Sequence, residues 1–331
     1  MNKTRGTKSK YLLYAAILLI IVFLVSSVLF LIEIVDRGYS LFPEQDYDYA
    51  NYVITYNNQE YVLKDDIETV LIMGVDKFED AIDDSSYNNN QQADFLMLLI
   101  IDNANAECSA IHINRDTITD INVLGVAGEK VGTVNRQIAL AHTYGNGKEV
   151  SCRNTSDAVS TLLNDIKIDH YISLTMDSIA VFNDLVGGVE VTVLDDFTGV
   201  DDTLTQGENV TLYGEHALNY VRSRYGMDDS SNNNRMMRQR QYIEALIQKT
   251  KQCVENDDSF IVDTSLEMAE YIVSDFSTTK FQNFAEKISE YNFTEIHSIE
   301  GEIKIGDEFV EFYPDEDALD ALVVQMFYEP K

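Results

Sequence analysis

Basic and amide side chains in the C-terminal half of the chain are spaced as an anion site would require. Arg222 and Arg224 lie two residues apart, so in an extended segment their side chains would point to one face. Arg235, Arg238 and Gln239 occupy positions i, i+3 and i+4, which share one face of a helix. Because guanidinium groups match phosphate oxygens bidentately, this spacing predicts a polyphosphate site. The alternative is a surface network of salt bridges.

A helix beginning near Arg235 would strengthen such a site. Residues 232–234 are three asparagines and are candidate N-caps. The free N–H groups and the positive end of a helix dipole both favour a bound anion. Seven of the twenty basic residues that follow residue 10 fall within residues 222–251, although the chain as a whole is strongly acidic.

Two aspartates provide a complementary group of ligands. Asp76 follows one apolar run and Asp94 precedes the next, so neighbouring strands would bring the two carboxylates together. Carboxylate oxygens facing a polyphosphate suit Mg²⁺, which shares its coordination shell with substrate phosphates. Arg115, after a third predicted strand, could join them. The alternative for each aspartate is a turn or cap residue.

The overall charge excludes one class of partner. Of 331 residues, 56 are Asp or Glu and 24 are Lys or Arg, giving a formal net charge of −32. A chain this acidic lacks the cationic face that non-specific binding to nucleic acid requires. Its 45% hydrophobic content is enough for a sizeable core.

The N-terminus predicts attachment to a membrane. Residues 11–32 form an uncharged run, YLLYAAILLIIVFLVSSVLFLI, which as a helix of about 33 Å would cross a hydrocarbon core of about 30 Å. The four basic residues within residues 1–10 predict a cytoplasmic tail, an anchor over residues 11–35 and a remainder outside the cytoplasm. A cleaved signal peptide is the alternative, but residues 33–37 offer no small-residue cleavage site.

Strand-like and helix-like segments alternate along the rest of the chain, which predicts an α/β sandwich around a mixed central sheet. We expect one domain over residues 66–330, preceded by a stem or edge elements over residues 36–65. The predicted strands are residues 69–74, 95–101, 108–114, 171–175 and 189–194. The predicted helices are residues 156–164, 176–185, 214–220, 235–255, 265–274 and 315–327. Cys108, Cys152 and Cys253 lie far apart in the sequence, and we expect them to be buried as small apolar side chains. A single disulfide between two of them is the alternative.

Several motifs occur in an order typical of one family. The chain contains GVD, an aspartate at position 94, NRDT, DLVGGVEVTV, GEHALNYVRSR and RMMRQRQ, at residues 74–76, 94, 114–117, 184–193, 214–224 and 235–241. Together they resemble the LytR–CpsA–Psr family of cell-envelope proteins over residues 66–330. The pair GEHALNYVRSR and RxxRQ is the most specific part of the resemblance.

The resemblance implies a bacterial phosphotransferase at the cell membrane. Such enzymes move an anionic glycopolymer, of the teichoic acid or capsular polysaccharide type, from a polyprenyl-pyrophosphate carrier to peptidoglycan. Asp76 and Asp94 match the family's metal-ligand positions, here for Mg²⁺, and Arg238 matches the second arginine of RxxR in the substrate site. The family's pyrophosphate-binding positions are matched by Arg115, Arg222, Arg224, Arg235 and Gln239.

The chain departs from the family pattern at three places. Gln92 stands where the family usually has arginine, Asn114 where proline is common, and residues 133–135 read Thr-Val-Asn instead of Lys-Ile-Asn. These departures bear on efficiency or substrate preference, since the phosphate-binding arginines are kept.

The implied reaction is Mg²⁺-assisted attack of a sugar hydroxyl on the glycan-side phosphorus, with Asp116 as the candidate general base. A pyrophosphatase would use the same residues with water as acceptor. A non-catalytic envelope regulator is a further alternative. The absence of arginine at Gln92 favours it, whereas a cytoplasmic tail of about ten residues, too short for a signalling domain, disfavours it. A surface adhesin would leave the arginine pairs unexplained.

Overall fold

The computed structural model describes residues 53–78, 91–125, 127–223, 232–306 and 309–331. The strands of this part of the chain are β1 (Val53–Tyr56), β2 (Gln59–Leu63), β3 (Ile67–Val75), β4 (Phe95–Asp102), β5 (Glu107–Ile113), β6 (Ile118–Leu124), β7 (Lys130–Gln137), β8 (His170–Thr175), β9 (Val189–Thr192), β10 (Asn209–Leu212), β11 (Ile272–Ser274), β12 (Asn292–Ser298), β13 (Gly301–Ile305), β14 (Val310–Pro314) and β15 (Tyr328–Pro330).

Helices separate and cover these strands. In the described residues they are α1 (Glu149–Leu162), α2 (Asp177–Leu185), α3 (Glu215–Arg222), α4 (Asn232–Asn256), α5 (Phe260–Met268), α6 (Thr278–Glu290) and α7 (Glu316–Phe327). Short 3₁₀ helices span Ile138–Thr143 and Ala269–Tyr271.

The central sheet has six strands in the order β11-β8-β3-β4-β5-β12. Strand β3 is parallel to β8, and β5 is parallel to β12. The other neighbours are antiparallel. The predicted mixed sheet is therefore confirmed. Its middle strands are the apolar runs that the sequence shows most clearly, because strands buried on both faces carry few polar residues.

Both faces of this sheet are covered, and alternation along each strand decides which side chain meets which layer. Leu71 and Met73 of β3 are fully buried in a cluster that includes α1 and α7. Val70, which directly precedes Leu71 in β3, packs instead with Phe284 of α6. The architecture is thus the expected α/β sandwich.

The first described residues belong to a small sheet of their own. Strands β1 and β2 form a hairpin, and β2 pairs antiparallel with β15 near the C-terminal end of the sequence. Lys64, directly after β2, donates its Nζ protons to the carbonyl oxygens of Gln325 and Met326 in the last turn of α7, at 3.0 and 2.9 Å. This contact satisfies carbonyls that a helix end leaves without intrahelical donors.

The predicted membrane anchor at residues 11–35 lies outside the described residues, as does the cytoplasmic tail. Among the residues that the structure does describe, we find no helix with both the length and the apolar content needed to cross a bilayer. The anchor therefore stays a prediction.

One predicted helix, residues 265–274, is wrong over its second half. Helix α5 ends at Met268, and Ile272–Ser274 forms strand β11, which pairs with β8 at the edge of the central sheet. The β-branched pair Ile272-Val273 fits a strand better than a helix. No disulfide forms among the three cysteines: Cys108 and Cys152 are buried free thiols, and Cys253 is a half-buried one.

Candidate active site

Asp76 and Asp94 lie at the same end of the central sheet, on neighbouring strands. Gly74 is paired with Phe95 in the β3–β4 register, and the Asp94 N–H donates to the Gly74 carbonyl at 2.8 Å. A Cβ atom on Gly74 would lie 2.9 Å from the Cβ of Phe95, so only glycine allows the strands to approach this closely. The glycine of the GVD motif thus sets the position of both aspartates.

Arg115 and Arg235 meet at Asp94. Arg115 follows β5 and donates from one terminal nitrogen to the Asp94 carboxylate and from the other to Gln92 Oε1. Arg235, in the first turn of α4, donates to the Asp94 backbone carbonyl at 3.3 Å. The Arg115 side chain is 12% exposed and Arg235 is 5% exposed. Residues from three separate stretches of sequence therefore place two sheltered guanidinium groups at one residue, Arg115 at the carboxylate of Asp94 and Arg235 at its backbone carbonyl.

Gln92 has a specific contact that the sequence did not reveal. It occupies the position at which the family usually has arginine, and its side-chain oxygen accepts a hydrogen bond from Arg115. The substitution removes one cation from the site and adds an acceptor that orients another. Residue 115 lies close to residue 92 only because β5, which precedes Arg115, is the neighbour of β4 in the sheet.

Asp116, the candidate general base, is buried behind Arg115. It is 5% exposed, its carboxylate accepts from Gln137 Nε2 at 3.1 Å, and Arg115 Nε lies 3.4 Å from the same oxygen. Its backbone N–H donates to Asn114 Oδ1 at 3.0 Å. These contacts fit a group that orients Arg115 better than one that takes a proton from a large acceptor.

Arg222 extends the cluster toward solvent. It is the last residue of α3 and forms an ion pair with Asp76 at 3.0 Å, with the two side chains 54% and 51% exposed. The expected extended geometry at Arg222 is wrong, because α3 continues to this residue and the chain becomes extended only at Ser223. Arg224 lies outside the described residues. Since an exposed pair contributes at most about 1 kcal/mol, Asp76 and Arg222 can separate at low cost to admit a ligand.

Arg238 and Gln239 face into the protein. Arg238 is 1% exposed, and it donates to the backbone carbonyls of Tyr220 (2.8 Å) and Ser223 and to the carboxylate of Asp195. Gln239 Nε2 donates to the Val221 carbonyl at 3.1 Å. These side chains therefore hold the C-terminal turn of α3, which carries Arg222. The spacing placed Arg238 with Arg235, but its partner Asp195 is 43 residues away in sequence.

The start of α4 is fastened to the end of β5. Asn232 opens the helix and donates from Nδ2 to Asn114 Oδ1 at 2.8 Å. Asn233 and Asn234, predicted as N-caps, lie instead within the first turn. The Asn232–Asn114 bond fixes Arg235 relative to Arg115, and it requires asparagine at the position where the family commonly has proline.

Two buried histidines near this region remain neutral at physiological pH. Burial, reinforced by the nearby guanidinium groups of Arg240 and Arg235, lowers the pKa of His112 to about 3. Burial also lowers the pKa of His142 to about 4, although a hydrogen bond with the Gln91 carbonyl (2.9 Å) opposes the shift. Both side chains are thus buried in their uncharged forms.

Acidification should therefore destabilise the domain through these two histidines. The unfolded chain takes up protons on both histidines near pH 6.5, whereas the folded chain does so only near pH 4 and below. Stability should fall by up to about 1.4 kcal/mol per pH unit for each histidine as the pH drops through this window. Urea unfolding at pH 7.5, 6.0 and 5.0 measures the loss. His142→Gln should show a shallower pH slope than the wild type, and an unchanged slope would contradict this assignment.

The assembled group has a definite chemical capacity. Two sheltered arginines and one exposed arginine surround two carboxylates at one end of a sheet, next to the N-terminal turn of α4. Such an arrangement can donate hydrogen bonds to the oxygens of a diphosphate and can share a cation with it. Neither capacity depends on Arg238, whose donors are used within the protein.

Comparison with known proteins agrees with this geometry. The model of the LytR_cpsA_psr family matches residues 43–326. The polyisoprenyl-teichoic acid–peptidoglycan teichoic acid transferase TagU of Halalkalibacterium halodurans is 32% identical over 184 residues, which are 56% of this chain and 53% of that protein. The protein of the same name from Enterococcus faecalis is 29% identical over 181 residues, covering 55% and 53%. The chain thus spans about half the length of these curated relatives.

Solved structures share the fold. Bacillus subtilis TagV superposes with a TM-score of 0.60 at 22% identity, covering 80% of this chain and 97% of that one. TagT bound to LI-WTA has a TM-score of 0.60 at 22% identity, with coverage of 79% and 90%. The order of the motifs, the sheet that brings them together and the match over most of the sequence agree: the chain belongs to the LytR–CpsA–Psr family.

Proposed function

We propose that this chain is a phosphotransferase that moves a glycopolymer from a polyprenyl-pyrophosphate carrier to peptidoglycan. The observation that carries the proposal is the meeting of Arg115 and Arg235 at Asp94, with the Asp76–Arg222 pair at the solvent side. Relatives named as teichoic acid transferases support transfer of this kind.

The described side chains act on the phosphates by position and charge. Arg115 and Arg235 neutralise non-bridging oxygens in a sheltered setting, where electrostatic interactions are stronger than in water. Arg222, once separated from Asp76, reaches the outer phosphate, and Arg224 is proposed to join it. A peptidoglycan hydroxyl then attacks the glycan-side phosphorus, the phosphoanhydride bond breaks, polyprenyl phosphate leaves, and the hydroxyl proton is released to solvent. Phosphoryl transfer of this type needs positioning and charge neutralisation more than covalent help from the protein.

The carboxylates fit a shared magnesium ion. The described residues contain no cluster of three or more His, Cys, Asp or Glu side chains that could enclose a metal. Mg²⁺, however, commonly takes one or two carboxylates and completes its shell with water and phosphate oxygens. Asp76 and Asp94 would hold the ion, which when bound supplies further neutralisation of the phosphates.

Location follows from the substrate. A polyprenyl carrier stays in the bilayer, so we propose that residues 11–35 anchor the chain once in the bacterial cell membrane, with the N-terminus cytoplasmic and the domain outside. The anchor would keep the site within reach of the carrier.

Product analysis tests the function. The full-length chain in membranes, given Mg²⁺, a polyprenyl-pyrophosphate-linked glycan and peptidoglycan, should yield a covalent glycan–peptidoglycan adduct and polyprenyl phosphate. Chelation with EDTA should lower the yield at least tenfold, and added Mg²⁺ should restore it. Release of free glycan phosphate without adduct would identify a pyrophosphatase instead, and no turnover with any carrier would support a binding protein.

A further inference from the structure

A cavity of about 820 Å³ opens beside the candidate active site. Its walls come from the first turns of α4, the end of β12 with the turn into β13, and the end of β14. We call it the α4–β14 cavity. A volume of this size lies within the usual range for sites that hold small organic ligands.

The inner wall of the α4–β14 cavity is continuous with the phosphate-binding arginines. Asn114, which lines the cavity, directly precedes Arg115 and is hydrogen-bonded to Asn232. Asn232 is 4% exposed, and its Oδ1 has no hydrogen-bond partner among the described residues. Asn232 does not itself line the cavity, so what it contributes there is the position of the Asn114 side chain.

The outer wall of the α4–β14 cavity is acidic. The exposed side chains of Glu300, Glu302 and Asp315 line it. Two cations lie close to them: Arg240 is half-buried and bonded to Ser298 Oγ, and Lys304 Nζ lies 3.6 Å from the Glu302 carboxylate. Carboxylates accept hydrogen bonds from sugar hydroxyl, amide and ammonium groups, but they repel phosphate groups. The formal charge of −32 on the whole chain opposes the approach of a polyanion in the same way.

Aromatic and apolar side chains complete the lining. Phe312, Tyr313 and Pro314 contribute to one side, and Met236 and Met237 of α4 contribute to the other. A surface that combines amide, carboxylate and aromatic groups can bind the polar edges and the apolar faces of a sugar ring. It offers little to a chain of phosphodiesters.

We propose that the α4–β14 cavity binds a glycan that is uncharged or carries amino sugars, and that it discriminates against phosphate-bearing polymers. The inference rests on the proposed function only in assigning that glycan to the transfer reaction. It departs from the anionic polymer implied by the family resemblance. The same sugar chemistry belongs to the carrier-linked glycan and to the acceptor, and competition experiments separate the two.

Binding can be measured without catalysis. The full-length chain in detergent is titrated at low salt in EDTA with three oligomers of matched length: N-acetylglucosamine tetramer, its de-N-acetylated form and a glycerol-phosphate oligomer. We expect the neutral and cationic oligomers to bind, and the glycerol-phosphate oligomer to bind at least tenfold more weakly. Equal or tighter binding of the phosphate oligomer, or no binding of any oligomer, would overturn the proposal.

A variant in which two carboxylates of the cavity wall are replaced by amides tests whether these side chains cause the charge selectivity of binding. Glu300→Gln/Glu302→Gln should tighten binding of the phosphate oligomer about fivefold and weaken the cationic oligomer by a similar factor, with the neutral one within twofold. The matched control, Glu267→Gln/Glu270→Gln, removes the same charge from exposed positions outside the cavity lining and should change none of these values. Equal effects in both variants would show that binding responds only to the net charge of the protein, which would contradict the proposal.

Inhibition of transfer by the neutral tetramer then identifies which sugar uses the cavity. Competition with peptidoglycan assigns the cavity to the acceptor, and competition with the carrier assigns it to the donor glycan. Selective oligomer binding in a chain that transfers nothing would support the cavity and count against the proposed function. Glycan transfer by a chain whose oligomer binding shows no charge selectivity would support the proposed function and contradict the cavity proposal.

Discussion

Replacing Arg115 by alanine should lower the rate of glycan transfer by about 10²- to 10³-fold, which is the usual cost of removing one preorganised donor from a site of developing charge. Arg115 is sheltered and is oriented by three side chains: Asp94, Gln92 and Asp116. Because the loss is in charge neutralisation, kcat should fall more than the affinity for the carrier. Initial rates at saturating carrier and peptidoglycan measure the effect.

The control for this prediction is Arg153→Ala. Arg153 is an exposed arginine on α1, so the variant loses the same charge and should transfer at the wild-type rate. Arg115→Lys should recover only a small part of the activity, since lysine cannot reproduce the bidentate geometry. Wild-type activity in Arg115→Ala would remove this residue from the mechanism.

Replacing Arg238 by methionine should destabilise the domain by about 3 kcal/mol, because it leaves a carboxylate and two carbonyl groups without their donor in a buried setting. Those acceptors belong to Asp195, Tyr220 and Ser223, and the guanidinium group also lies over the Phe197 ring, 5.3 Å from its centroid. The urea midpoint of unfolding measures the change.

Two further variants separate this structural role from substrate binding. Lys249→Met removes one positive charge from a half-buried position of the same helix and should shift stability by no more than about 0.5 kcal/mol. Asp195→Leu combined with Arg238→Met should cost less than the sum of the single changes, since neither charge is then left alone. An Arg238→Met protein that is fully stable but inactive would instead place Arg238 on the substrate, as the family pattern implies.

The parts of the fold that the sequence predicts correctly are those in which one local signal decides the structure. Strands β3, β4 and β5 are apolar runs, and helix α4 has a long amphipathic pattern, so each is recognisable alone. Strand β12 is different: it is half exposed and pairs with β5 across about 180 residues. Its propensity signal is weak, and only the tertiary pairing makes it a sheet edge.

In the candidate site too, local spacing predicts some features, while others depend on contacts between distant parts of the sequence. Spacing indicated that Arg235, Arg238 and Gln239 share a helix face, but it could not show which of them would turn inward. That choice depends on Asp195 and on the carbonyl groups at the end of α3, which lie far away in sequence. Gln92 and Gln137 were missed as partners of Arg115 and Asp116 because amides carry no distinctive motif.

The β2–β15 pairing has a mechanical consequence under the N-terminal membrane attachment proposed above. Tension along such a tether would load β1 and β2 first, and β2 is laced to β15 and, through Lys64, to the last turn of α7. None of these elements carries an arginine of the candidate site. The force would thus act on a sheet that is separate from the residues proposed to bind phosphate. The candidate site would keep its geometry while the domain is under tension.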